Sequence, residues 1–260
     1  METVWLTLGT IGMGAATLAF AFLGVRAPQG SRYFFVITAL ITLIAFVSYL
    51  TMATGQGEAQ VGDRTFYYFR YIDWVFTTPL LLLDLALLAL VDWRRNVGLI
   101  GTLIGLDLFM ILTGLWAGAT VNPVGRGILF LISTAAMIVL LYLVVTRLFS
   151  AAAGQSPAVQ QIFRALALLT VILWSLYPVV WVIGTEGVGA VGVSTEVFLF
   201  LVLDLLAKVG FGFLLLTNRQ ALSDIASGAA GPDRAGSARP RGTWHTRSEE
   251  PMSESADGNV

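Results

Sequence analysis

Seven stretches of the chain are continuously apolar over roughly the 20 residues that a helix needs to cross a bilayer core. They run approximately over 4–25, 33–54, 66–91, 97–118, 127–149, 160–183 and 194–217, and Gly, Pro or charged residues separate them. Continuous apolar runs predict helices and argue against a β-barrel, whose strands alternate lipid-facing and interior residues. The connections are short, so sequential helices are expected to be antiparallel neighbours in one all-α, seven-transmembrane-helix bundle. From about residue 221 the pattern stops, and Gly, Ser, Ala, Arg and Glu dominate. Such a segment cannot bury a core and is predicted to be disordered. The expected division is one membrane domain over 1–220 and a tail over 221–260.

Composition agrees. The chain is 57% hydrophobic and 12% charged, with mean hydropathy +0.80; a soluble domain carries roughly 25% charged residues. This is the composition of a multi-pass membrane protein. The net charge of -1 is uninformative about nucleic acid, but there is no basic patch outside the loops and tail, so no nucleic-acid partner is expected. The chain has no cysteine, which excludes disulfides and thiolate metal sites. His245 is the only histidine and lies in the tail without metal-binding company, so no metal site is expected. The first apolar run begins at Val4 after an acidic residue and lacks a basic leader, so this helix is expected to be retained as an anchor.

Arginines give the orientation. With the N-terminus outside, Arg26, Arg32, Arg94, Arg95, Arg147, Arg164 and Arg219 fall at cytoplasmic ends and only Arg64 and Arg126 at external ends. That bias predicts an outside N-terminus and a cytoplasmic C-terminus.

The ionisable residues inside the spans carry the chemistry. Lys208 is the only lysine and sits within the seventh span, with Asp204 four residues earlier on the same helical face. A charge at bilayer depth is costly and points to function with a named partner. A buried lysine also loses its proton readily, which suits Schiff-base chemistry with an aldehyde. The third span carries Arg70, Asp73, Thr77 and Asp84. Asp73 and Asp84 are 11 residues apart, about three turns, so they share a face roughly 16 Å apart along the axis. A cation, a carboxylate, a hydroxyl and a second carboxylate along one stripe is what a proton path through a low-dielectric bundle needs. Asp73, with Arg70 nearby and Lys208 expected across the bundle, is predicted to be ionised. Asp84, set among leucines, is predicted to hold its proton at rest. Trp174, Tyr177, Pro178 and Trp181 form one stripe of the sixth span. With Trp74 and a central lysine they suggest a slot for a flat, conjugated ligand. Glu186 and Glu196 are both expected at the outer face, where a meeting of the two would let them share a proton. Pro79 and Pro178 are expected as kinks.

These motifs resemble those of the microbial rhodopsins, most closely the bacteriorhodopsin-like light-driven proton pumps. The matching blocks are Arg70 to Trp74 through Thr77-Thr78-Pro79 to Asp84, Trp174 to Pro178 with Trp181, Gly184 to Gly187, and Leu203 to Gly210. The resemblance implies all-trans retinal covalently attached to Lys208 as a protonated Schiff base, with Asp73 and Asp204 as counter-ions. It implies Asp73 as proton acceptor, Asp84 as cytoplasmic donor, and Arg70, Glu186 and Glu196 as the release group. Tyr49 and Tyr177 would hold Asp204, and Thr78 would pair with Asp107. Trp74, Met110, Gly114, Ser133, Met137, Trp174, Pro178 and Trp181 would line the retinal. It further implies a light-driven ion transporter rather than an enzyme, in the cell membrane, with retinal, protons and lipid as partners and a homo-oligomer, often a trimer. The sequence departs from the family at Leu129-Phe130, where an aromatic pair is expected, at Thr42 in place of proline and at Ser48 in place of methionine. The alternatives are a sensory rhodopsin signalling through a membrane transducer, a halide pump and a seven-helix receptor without retinal. Asp84 argues against the first and Asp73 against the second.

Overall fold

The computed structural model describes residues 1–228; the predicted tail from 229 onward, His245 included, lies outside the described residues. Among the described residues, seven helices are long and apolar enough to cross a membrane. They are α1 (Glu2–Val25), α2 (Arg32–Ala53), α3 (Tyr68–Ala89), α4 (Val97–Ala119), α5 (Pro123–Ala152), α6 (Pro157–Ile183) and α7 (Val193–Thr217). Successive helices run antiparallel, as the short connections require. Helix starts follow local chemistry. Asn122 accepts from the Gly125 amide at the head of α5, and Ser156 accepts from the Val159 amide at the head of α6. Each is followed by a proline at the first helical position, where a missing N–H costs nothing.

The helices are not equivalent. In its most apolar stretch α3 is 61% buried and α7 56%, against 28% for α1 and α5. α3 and α7 are therefore the interior helices, and they carry most of the ionisable residues. Pro79 and Pro178 both lie inside continuous helices. Two turns widen to i→i+5 bonding, Val144–Leu148 in α5 and Leu205–Gly210 in α7. The second contains Lys208, and such turns gather at functional positions.

Two features depart from the sequence expectation. Between α2 and α3 lies a hairpin, β1 (Ala59–Val61) against β2 (Arg64–Phe66), antiparallel with Val61 opposite Arg64. Gly62 takes the left-handed turn conformation there. The boundary at 220 also falls too early, because α8 (Arg219–Ser227) continues the fold. Asn218 caps it, Ala221 and Leu222 are buried, and Ser156 Oγ donates to Asp224 Oδ2 at 2.5 Å. Ile225 packs against the same core, half-buried, so a short amphipathic helix that averages as polar is held by three apolar side chains, its cap and this hydrogen bond.

Candidate functional site

Lys208 Nζ is 2.5 Å from Asp73 Oδ2 and 2.9 Å from Asp204 Oδ1. All three side chains are almost completely buried. α7 supplies Lys208 and Asp204 one turn apart, and α3 supplies Asp73 from the facing helix. A buried ammonium between two carboxylates is tolerable only with this geometry and further hydrogen bonds. Those bonds fall unevenly. Asp204 Oδ1 also accepts from Tyr177 (2.9 Å) and Trp74 Nε1 (3.3 Å), and its Oδ2 accepts from Tyr49 (2.8 Å). Asp73 Oδ1 receives no hydrogen bond from any described group. Asp204 is saturated, whereas Asp73 has a free acceptor atom.

Toward the N-terminal end of α3, Arg70 Nη1 pairs with Glu196 Oε1 at 3.2 Å. Its guanidinium lies 4.0 Å from the Phe200 ring centroid. Glu196 Oε2 accepts from both the Thr185 amide and its hydroxyl at 2.7 Å. Glu186 Oε1 accepts from Tyr71 at 3.4 Å, and Tyr71 in turn accepts from Trp181 Nε1 at 2.8 Å. The two glutamates are buried in one region, yet each has its own partners and no hydrogen bond joins them among the described residues. Burial, reinforced by the Glu196 charge and opposed by Arg70, raises Glu186 to about 7. Arg70 thus meets Glu196, as the resemblance implied, and makes no hydrogen bond to Asp73 among the described residues. One detail corrects the sequence expectation: Thr77 donates to the Asp73 backbone carbonyl (2.9 Å) rather than extending a side-chain path.

Toward the other end of α3, Asp84 is fully buried. Thr38 donates to its Oδ2 at 3.2 Å, and Oδ1 has no partner. No cation pairs with it among the described residues, as expected from its leucine-rich setting. Thr78 donates to Asp107 Oδ2 at 2.7 Å, tying α3 to α4.

A narrow cavity opens beside Lys208. Trp74, Thr78, Met110, Gly114, Ser133, Met137, Trp174, Tyr177, Pro178 and Trp181 line it, whereas Tyr49 is not part of its wall and bonds Asp204 instead. Of its three small hydroxyl side chains, Ser133 donates to the Met110 carbonyl and Thr78 to Asp107, which leaves Thr134 as the one such group facing the slot. The slot otherwise presents apolar and aromatic surface. Reasoning from the sequence missed Phe130, which stacks on Trp181 at 4.5 Å, as well as Tyr71 and Phe200. It also missed Thr38 and Thr185, single hydroxyls whose roles depend on which helix they face. Tyr71 was within the matched third-span block, and its neighbourhood to Trp74 was the available signal.

Fold and site together define a multi-pass helical membrane protein with an apolar, aromatic slot beside a buried amine and carboxylates toward both ends of one helix. A family model described as bacteriorhodopsin-like protein matches residues 1–222. Archaerhodopsin-1 of Halorubrum ezzemoulense is 48% identical over 228 residues, 86% of each chain. Bacteriorhodopsin of Halobacterium salinarum is 46% identical over 224 residues, 84% of each chain. The crystal structure of thermophilic rhodopsin from Rubrobacter xylanophilus is similar with TM-score 0.87 and 67% identity, covering 87% of this chain and 100% of that one. The chain belongs to the bacteriorhodopsin-like family. The family consists of light-driven ion transporters with a retinal chromophore, not enzymes.

Proposed function

We propose that this protein is a light-driven outward proton pump, with all-trans retinal attached covalently to Lys208. The observation that carries the reading is the placement of Lys208 Nζ at 2.5 and 2.9 Å from two unequally bonded carboxylates, at the edge of an apolar aromatic cavity. The cavity residues fit the group: flat indole and phenol faces from α3 and α6, phenyl rings from α5 and α7, no unpaired charge along the slot, and one amine at its edge. Retinal bound there supplies a visible chromophore and makes the proton on the Lys208 nitrogen transferable on illumination.

The residues divide the work by their hydrogen bonds. Asp204, fixed by Tyr49, Tyr177 and Trp74, is a permanent counter-charge. Asp73 accepts the proton, since it alone of the pair has an acceptor atom free. A neutral Asp73 removes a negative charge one turn from Arg70. The cation then acts more strongly on the glutamates, and Glu186 loses its proton. Asp84, buried with one hydroxyl donor and no cation, stores the neutral carboxyl that resupplies the nitrogen from the other side. The ends of the helices bearing Arg26, Arg32, Arg94, Arg95, Arg147, Arg164 and Arg219 are also the end nearer Asp84. This arginine bias supports reading the donor side as cytoplasmic and the glutamates and N-terminus as outside. Moving each proton against 100 mV requires about 2.3 kcal/mol. By analogy with related pumps we also assign a homo-oligomer, a trimer.

The test is Asp73→Asn in retinal-reconstituted vesicles. The variant should keep a visible band and lose net proton transport. Unchanged transport would refute the assignment of Asp73.

A further inference from the structure

The hairpin between α2 and α3 is the element that no proton-transfer step above uses, yet it is built against the Glu186 site. Arg64 Nη2 donates to the carbonyls of Gly118 (2.6 Å) and Thr120 (3.0 Å) at the end of α4. These are carbonyls that a helix end leaves without partners. Two residues on, Phe66 lies over Gly118, where a Cβ would come within 2.7 Å of the ring Cζ. The same ring packs on Tyr71, centroids 5.5 Å apart, and Tyr71 is the residue that donates to Glu186. From these contacts, and resting on the pump reading, we propose that Arg64 is a positioning residue for proton release. It fastens the hairpin to α4 and keeps a positive charge within reach of Glu186.

The groups facing Glu186 come from three elements: Arg70 and Tyr71 of α3, Glu196 of α7, and Arg64 of β2. Arg64 favours the ionised carboxylate, as Arg70 does, whereas Glu196 opposes it. Burial, followed by repulsion from Arg126, draws the Arg64 guanidinium below its ordinary value. It stays charged, because arginine keeps its proton in proteins. Arg70 is buried and sheltered from salt, whereas Arg64 is only partly so. The Arg64 contribution is therefore the one that ionic strength should remove.

The experiment uses the full chain reconstituted with retinal. Two readouts are followed against pH: early proton release after a flash, detected with a pH dye, and the infrared C=O band of protonated Glu186, identified by its loss in Glu186→Gln. Arg64→Gln should move the midpoint of both upward by about half a pH unit at low salt. Arg64→Lys should return it to the parent value. Added salt should move the parent toward Arg64→Gln and leave Arg64→Gln almost unmoved, a comparison that needs only the parent should the variant fail to fold. An unmoved midpoint in Arg64→Gln, an equal shift in Arg64→Lys, or a salt-insensitive parent would overturn the proposal. A parent that does not pump refutes the pump reading instead, so the two failures are distinguishable.

Discussion

Gly9 has no chemistry of its own, yet replacing it should damage the centre. A Cβ at Gly9 would lie 2.5 Å from Tyr49 Cε1 and 2.9 Å from Tyr49 Cγ. Carbon atoms pack at about 3.5–4.0 Å, so the ring must retreat by about an ångström. The close approach to Cγ means that the ring cannot escape by bending at its tip. Its hydroxyl sits 2.8 Å from Asp204 Oδ2, and a retreat of that size breaks the bond. Overpacking costs about 1–3 kcal/mol and a lost hydrogen bond to a charged group about 1.5–3 kcal/mol. Gly9→Ala should therefore lose roughly 2–5 kcal/mol, on the order of 10 °C for a chain of this size. Thermal loss of the retinal band, scanned at a fixed rate, measures it. Tyr49→Phe provides the reference, because it deletes the hydrogen bond without the clash. Gly9→Ala should be less stable than Tyr49→Phe and share its spectral change. A Gly9→Ala protein matching the parent in both would show that α1 and α2 do not pack as described.

Asp84→Asn should leave colour and the first proton transfer intact and slow recovery. With no stored proton the rate should follow the proton concentration in solution, falling about tenfold per pH unit; flash photolysis between pH 5 and 8 checks this. Lys208→Ala should give a colourless protein. It should also be about 3–5 kcal/mol less stable than the retinal-free parent, because Asp73 and Asp204 then face each other without their cation; chemical denaturation in detergent compares the two. Burial lifts Glu186 from 4.5 to about 7, so the folded protein binds that proton more tightly than the unfolded chain. Its contribution to stability is complete below pH 4.5 and is lost as the pH rises through 7; Glu186→Gln should flatten that part of the stability–pH curve.

The parts of this molecule legible from sequence were those written in hydropathy or in charge at the wrong depth. The seven spans came from run length. Lys208 with Asp204 came from spacing on one helix, and the isolation of Asp84 from its leucine neighbours. Pairings across helices were readable only through family resemblance, because one chain gives no rotation angles between helices. Arg70 illustrates the limit. Spacing put it one turn from Asp73, but its ion pair is with Glu196 on another helix, a partner that only the resemblance implied. Thr185 and Thr38 are ordinary hydroxyls until the fold aims them at Glu196 and Asp84. The hairpin has strands of three residues, too short for period-2 alternation to show. α8 was hidden because only Ala221, Leu222 and a half-buried Ile225 pack against the bundle, too few for an apolar run. The widened turn at Lys208 leaves no trace in composition at all.

The most direct measurement is the pH of an unbuffered suspension of cells expressing the chain with added retinal, recorded through cycles of light and dark. Illumination should acidify the medium at once, without a transducer protein, and a protonophore should abolish the signal. Cells that acquire colour but leave the pH of the medium unchanged in the light, or make it alkaline in a way the protonophore does not abolish, would contradict outward proton transport by these residues.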